Sequence, residues 1–359
     1  MTELNDLPLR ASLKGKAPYG APQLHVPVAL NVNENTHEIP EAVLIDIISR
    51  LAISLKDINR YPDREFSGLR LALAKYLGHS LSADQIWAAN GSNEVLQQIF
   101  MAFGGPDRKA LSFSPTYSMY SLLANATDTN YIEVSRAPRY ELDRALVVEA
   151  IKLHEPEITI ICSPNNPTGT PVPLDVIEAA YEATSGILVV DEAYAEFSLN
   201  QESALALLPG RERLLVSRTM SKAFAFAGAR VGYLSADAAV CDAMRLVRLP
   251  YHLSALTQAA AEAALAHSNE MLRAVAEIRD QRDRLYVAAQ DMGLDPYRSD
   301  ANFILIGGLQ DPDKVWNDLL AQGILVRNVG IPNTLRITVG TETETSAVIA
   351  ALTDLVGTK

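Results

Sequence analysis

The chain of 359 residues holds only two cysteines, Cys162 and Cys241. Two thiols can build neither a disulfide framework nor a Cys-rich zinc site, and they point to a reducing, cytoplasmic setting. No uncharged apolar run approaches the ~18–20 residues needed to cross a bilayer. The first residues, Met1-Thr2-Glu3-Leu4-Asn5-Asp6, carry acids where a secretory signal needs a basic and then an apolar stretch, so a cytoplasmic protein is expected. Basic residues are also short: 31 Lys and Arg stand against 43 Asp and Glu, a net charge of −12. Such a surface repels phosphate backbones and argues against nucleic-acid binding. The Gly-rich nucleotide fingerprints, H-E-x-x-H and G-x-S-x-G are all missing, and the six histidines are scattered. Nicotinamide, nucleoside-triphosphate, zinc-protease and serine-hydrolase chemistry therefore lose their usual support, and no metal site is expected. Repeats and low-complexity tracts are absent too.

What is present is an ordinary globular composition, 48% hydrophobic and 21% charged. The length suits one large and one smaller domain. Residues 1–38 read as an arm, 39–250 as the large domain and 251–359 as the smaller one. A helix is expected from about residue 40, with Val43, Leu44, Ile47, Ile48 and Leu51 on one face. Short apolar runs at 85–89, 110–113, 131–134, 158–162, 187–190 and 213–217 alternate with helical stretches. That alternation predicts an α/β fold with a mostly parallel sheet covered on both faces. The C-terminal part reads as α+β, with an Ala-rich helical region over 254–292, strands at 302–306, 324–327 and 335–339, and helices at 312–321 and 344–355.

In parallel sheets ligands gather beyond the carboxyl ends of the strands. Polar residues there form a constellation, although each has a bland reading alone. Lys222 sits in Ser221-Lys222-Ala223-Phe224-Ala225-Phe226-Ala227-Gly228. An isolated lysine is usually a solvated charge, but one desolvated in this run has the lowered pKa that a Schiff-base nucleophile needs. Asp191 closes an apolar run; it is either a helix cap or the counter-ion of a protonated ring nitrogen, with Tyr194 three residues on, and Asn166 in the turn after the preceding strand, able to reach the same object from another side. Ser92 and Asn93 open a helix after Gly91, an entry that offers N–H groups to an anion. Thr219, Ser221 and Arg230 add hydroxyls and a guanidinium suited to a phosphate. Tyr117 is a core tyrosine or a stacking partner for a planar ring. Together these match one small molecule, pyridoxal 5′-phosphate, far better than any of them does alone.

Ser163-Pro164-Asn165-Asn166-Pro167-Thr168-Gly169, Asp191-Glu192-Ala193-Tyr194, Thr219-Met220-Ser221-Lys222-Ala223-Phe224 and Gly228-Ala229-Arg230-Val231-Gly232-Tyr233 resemble the signature of the class II, fold-type-I aminotransferases that use pyridoxal phosphate. Pro18-Tyr19-Gly20, Asn33-Glu34-Asn35, Arg60-Tyr61-Pro62-Asp63, Ala301-Asn302-Phe303 and 335–340 are similar to the branch acting on histidinol phosphate, and the run 246–254 is similar to its actinobacterial form. The resemblance implies the fold-type-I architecture and the following roles. Lys222 holds the cofactor covalently and shuttles a proton. Asp191 pairs with the ring nitrogen, Asn166 and Tyr194 bond the ring oxygen, and Tyr117 stacks. Ser92, Asn93, Thr219, Ser221 and Arg230 hold the phosphate. Tyr61 reaches the phosphate of a neighbouring subunit in a homodimer. Arg336, with Arg327, Tyr19 and Asn33, binds substrate, which is histidinol phosphate or the glutamate and 2-oxoglutarate pair. The family usually follows Asn-Glu-Asn with Pro-Tyr; here Thr36-His37 stand in that segment over the substrate. Two other readings keep the cofactor: an aromatic amino-acid aminotransferase, and a decarboxylase of a phosphorylated amino acid. A third, a cofactor-sensing transcription regulator, needs a basic DNA-binding segment that an acidic chain with a short arm lacks.

Overall fold

A computed structural model describes residues 6–15, 20–199 and 202–356. Seven strands form the main sheet, in the spatial order Ile86–Asn90, Val231–Ser235, Leu214–Thr219, Ile187–Asp191, Ile158–Cys162, Lys109–Ser114, Asn130–Ser135. The last five are mutually parallel, and Val231–Ser235 runs antiparallel to both of its neighbours. The strand Ile158–Cys162 and the strand Ile187–Asp191 are buried at every position, as apolar runs covered on both faces must be. The expected runs all form strands. Val231–Ser235 is additional: it lies inside a motif rich in Gly and Ser and has no long apolar run of its own.

Register fixes the site edge. Cys162 pairs with Asp191, and Asp191 pairs with Ser217, so the carboxyl ends of the three central strands lie side by side.

The helix expected from about residue 40 is Glu41–Ser54. Its core side is narrower than the apolar pattern suggests. Val43 and Ile47 are buried, whereas Leu44, Ile45, Ile48 and Ile53 face solvent in the single chain. The helices Ala255–Ala266, Ser268–Met271 and Arg273–Asp291 fill the Ala-rich region. Ala260, Ala261, Ala263 and Ala264 are buried in the large core, where Ala255–Ala266 packs on Glu41–Ser54 and Ser67–Leu77; small side chains let these helices approach closely. A second core gathers Leu285, Ile304, Ile306, Leu319, Leu335, Ile337 and Val348. Val275 and Ile278 of Arg273–Asp291 join a third cluster with Tyr194, Phe197 and Phe303, and Leu285 and Ala289 join the second core.

The antiparallel strands Leu335–Thr338, Phe303–Gly307 and Asp295–Pro296 form the smaller sheet. Val28–Ala29 pairs in parallel with Ile324–Leu325, and Leu30 joins the second core. This pairing draws residues 28–33 across the molecule towards the main sheet's site edge. Among the described residues no helix is long and apolar enough to cross a membrane. No group of three or more His, Cys, Asp or Glu among them is arranged to hold a metal ion.

Candidate active site

A cavity of about 340 Å3 opens where the strand ends, the helix Ser92–Phe103 and residues 32–34 converge. Its lining includes Asn33, Ser92, Asn93, Tyr117, Asn166, Asp191, Tyr194, Thr219, Ser221, Lys222, Arg230 and Arg336. Residues spread over more than two thirds of the sequence are thus brought around one space.

Asp191 ends its strand 2% exposed. Oδ2 accepts a hydrogen bond from Tyr120 at 2.7 Å, while Oδ1 has no hydrogen-bond partner. Burial lifts the carboxyl to about 6, although the Tyr120 hydroxyl and the Ala193 amide work in the other direction. A carboxylate buried with one unanswered oxygen calls for a cationic partner inside the cavity.

Lys222 lies opposite, enclosed by protein yet open to the cavity. Nζ donates to the Val32 carbonyl at 3.0 Å. Desolvation, and then the nearby positive charges of Arg336 and Arg230, lower the amine to about 8; Glu34 opposes them. At mildly alkaline pH a large fraction is therefore the neutral nucleophile.

Tyr194, Asn33, Asn166 and Arg336 form a chain of hydrogen bonds. Asn33 and Asn166 donate to the Tyr194 hydroxyl at 3.0 and 3.2 Å. Arg336 Nη1 donates to Asn166 Oδ1 at 2.6 Å and Nη2 to the Asn31 carbonyl at 2.8 Å, with its guanidinium 5.2 Å from the Phe303 ring centroid. Burial keeps the Tyr194 phenol well above its ordinary range, so it stays protonated.

The opposite end of the cavity is a cup of donors. The helix Ser92–Phe103 begins after Gly91, which has φ +84°. A side chain on Gly91 would collide with the Arg230 guanidinium at 2.5 Å, and one on Gly232 with the Ser92 amide at 2.0 Å. Both glycines are thus needed for the helix start and the guanidinium to approach each other. Arg230 donates to the Ala227 carbonyl at 3.1 Å and reaches Ser221 Oγ at 3.5 Å; Thr219 and Ser221 bond each other at 3.0 Å. Free helix-start amides, two hydroxyls and a guanidinium suit a phosphate-sized anion. Tyr117 sits between the two ends, its hydroxyl donating to Asn93 Oδ1 at 3.1 Å.

Two expected residues stand elsewhere. Tyr61 is 79% exposed and stacks on Tyr251, centroids 4.4 Å apart, away from the cavity of its own chain. Arg327 does not line the cavity: its guanidinium bonds the Gly20 carbonyl, though its backbone pairs with that of Arg336. Tyr19 lies outside the described residues. Asn35 donates to the Ala223 carbonyl at 3.2 Å and ties the Thr36-His37 segment beside the Lys222 loop.

Sequence reasoning missed Tyr120, Val32 and the buried pair of Arg218 with Glu192. Arg218 donates to Glu192 from Nε at 3.0 Å and from Nη2 at 2.8 Å, and reaches Glu196 at 3.3 Å. It thereby ties the loop bearing Asp191 and Tyr194 to the strand leading into Lys222. Only the charges inside otherwise apolar signatures hinted at it. Cys162, expected to be an apolar filler, lines the cavity floor beside Asp191, and burial pushes its thiol up to about 12.

Residues 26–352 match the model of the family Aminotransferase class I and II. The chain belongs to that family, and a mostly parallel sheet with this strand-end cavity is its architecture here. It is 58% identical to a histidinol-phosphate aminotransferase from Paenarthrobacter aurescens over 98% of this chain and 96% of that relative. It is 51% identical to the one from Thermobifida fusca over 99% and 97%. Within the family, then, the chain belongs to the histidinol-phosphate aminotransferases. The histidinol-phosphate aminotransferase from Sinorhizobium meliloti, solved in complex with pyridoxal-5′-phosphate, superposes with a TM-score of 0.83 at 24% identity, over 92% of this chain and 91% of that one. Aspartate aminotransferase from Thermus thermophilus with maleate superposes with a TM-score of 0.79 at 23% identity, over 92% of each chain. These two likenesses show the shared fold.

Proposed function

We propose that this protein uses pyridoxal phosphate to move the amino group of L-glutamate to imidazole-acetol phosphate, giving 2-oxoglutarate and L-histidinol phosphate in histidine biosynthesis. The observation that carries this reading is the pairing, in one cavity, of a half-buried lysine lowered to about 8 with a buried aspartate whose Oδ1 is unanswered. The substrates come from the relatives named above.

The residues present fit the cofactor. Its phosphate would lie in the cup of Ser92, Asn93, Thr219, Ser221 and Arg230, its ring nitrogen at Asp191, its ring oxygen at Asn166 and Tyr194, and its ring face at Tyr117. When bound, its pyridine ring accepts the electron pair left on a substrate carbon. Lys222 Nζ anchors it covalently and, when released, takes a proton from the substrate Cα and returns one. The Val32 carbonyl supports Nζ from the arm. Asp191 holds a proton on the ring nitrogen by charge pairing where water is excluded. Asn33 keeps the Tyr194 hydroxyl in place.

Arg336, braced by Asn166 and Asn31, presents positive charge to the anionic end of either substrate, a phosphate or a carboxylate. Arg327, whose guanidinium bonds the Gly20 carbonyl, adds charge at the position whose backbone pairs with Arg336, and Tyr19 precedes Gly20 in sequence. One pocket thus serves two substrates in turn, with ping-pong kinetics.

The active form is a cytoplasmic homodimer in which Tyr61 reaches the partner's phosphate cup. Supporting this are the solvent-facing Leu44, Ile45 and Ile48 on Glu41–Ser54, the exposed Leu246 and Leu249, and the outward-lying Tyr61. Exposed large apolar side chains of that number suit an association face.

Half-reaction spectra test the reading. Protein loaded with pyridoxal phosphate is mixed separately with L-glutamate, L-histidinol phosphate and L-phenylalanine. Rapid conversion by the first two is expected; preference for phenylalanine over histidinol phosphate would overturn the substrate assignment.

A further inference from the structure

We propose that Tyr120 is a positioning residue for Asp191: its hydroxyl engages Oδ2, leaves Oδ1 as the oxygen offered to a protonated ring nitrogen, and keeps the carboxylate ionised. This rests on the function proposed above, which places that nitrogen at Asp191.

The geometry is specific. Tyr120 is fully buried in the helix Met119–Ala126, and its hydroxyl donates to Oδ2 at 2.7 Å. Its ring is held edge-on to Tyr117, centroids 5.6 Å apart at 89°. A core position alone would be satisfied by phenylalanine. A buried tyrosine must find a partner for its hydroxyl, and this one finds the carboxylate at the ligand end of the central strand. The phenol is pushed well above its ordinary range by burial and by Asp191, so it acts as a donor throughout the working pH range. Facing Asp191 are Tyr120 from its helix, Cys162 from the adjacent strand and Glu192 from its own loop, with Arg136 behind Cys162 and Tyr120. Cys162 remains a neutral thiol. Tyr120 is therefore the side-chain donor acting on the carboxylate, and the amide of Ala193 is the other favourable influence.

The consequence concerns where one proton resides. A carboxylate that accepts a hydrogen bond is a weaker base. With Tyr120 in place, a proton shared between Asp191 and the ring nitrogen favours the nitrogen. Without it, the carboxyl competes for that proton, and a neutral acid no longer pairs with a cation.

Tyr120→Phe removes one oxygen and keeps the ring. In the cofactor-free protein, the Asp191 carboxyl is followed by carbon NMR over pH, identified by its loss in Asp191→Asn. Its midpoint is expected to rise by about one pH unit or more in Tyr120→Phe. For a rise of one unit from about 6, affinity for pyridoxal phosphate is expected to fall about twofold at pH 7 and about tenfold towards pH 5, and to recover as pH passes the new midpoint. Tyr120→Phe added to Asp191→Asn is expected to change affinity no further. An unmoved midpoint, or an equal loss of affinity on the Asn background, would overturn the assignment. Should the Phe variant lose cooperative unfolding, 3-fluorotyrosine placed at position 120 keeps the ring, strengthens the donor and is expected to lower the midpoint; a midpoint that does not move in that folded variant counts against the proposal. If wild-type protein takes up no pyridoxal phosphate at all, the function proposed above fails, whereas uptake indifferent to Tyr120 sinks this inference alone.

Discussion

Replacing Lys222 by methionine should make the cofactor-free protein more stable at neutral pH. The amine is enclosed, and burial with the fields of Arg336 and Arg230 lowers it from 10.5 to about 8. Holding the charged form in that place costs about 3 kcal/mol, at about 1.4 kcal/mol per pH unit. The hydrogen bond to the Val32 carbonyl returns about 1 kcal/mol that methionine forfeits. A net gain of about 2 kcal/mol is expected for Lys222→Met at pH 7.

The sign follows from proton counting. Below about 8 both folded and unfolded chains carry the proton, so the penalty is complete and constant. Between about 8 and 10.5 only the unfolded chain is protonated, so wild-type stability climbs with pH. Above that range the penalty is gone. Denaturant unfolding of cofactor-free wild type and Lys222→Met, at one protein concentration and several pH values, measures the gap. The gap should be widest at pH 7 and close towards pH 10. A variant no more stable than wild type at pH 7, or a gap independent of pH, would refute the claim that the lysine is held there at an energetic cost.

Asp191→Asn is the acid-side counterpart. Burial raises the carboxyl from 3.8 to about 6, so the folded chain binds the extra proton between those values and stability falls as pH rises through them. The Asn variant should lack that slope in acid unfolding and should bind pyridoxal phosphate more weakly. Arg218→Met strands Glu192 and Glu196 in the core and should destabilise by about 3–5 kcal/mol in denaturant titration, a buried ion cluster broken on one side. Arg336→Ala should weaken both glutamate and histidinol phosphate in steady-state kinetics; an effect confined to one substrate would contradict a shared anion site. Ile45→Asp with Ile48→Asp should yield monomers by sedimentation if that helix face is the subunit contact.

Much of the site could be read from the chain because strands buried on both faces leave little freedom. The runs ending at Cys162 and Val190 are apolar but for Thr159, so the polar residues that follow each mark the ligand edge. Other features depend on tertiary register. Tyr120 meets Asp191 across 71 positions, and a tyrosine inside an apolar helix gives no outward sign of its partner. Val32 acts through a backbone carbonyl, which any residue supplies. Arg218 finds Glu192 because Asp191 pairs with Ser217 one residue earlier on each strand. Leu44 and Ile48 follow the same helical period as buried residues, since periodicity cannot separate a core face from one left open at the surface. Val231–Ser235 escaped because Gly232, which the Ser92 amide requires, interrupts the apolar pattern.

The central claim is a covalent bond between Lys222 Nζ and the cofactor. Protein saturated with pyridoxal phosphate, reduced with borohydride, digested and sequenced by mass spectrometry should carry the reduced pyridoxyl mass on the Lys222 peptide. An adduct confined to other lysines, or none at all, would contradict the account.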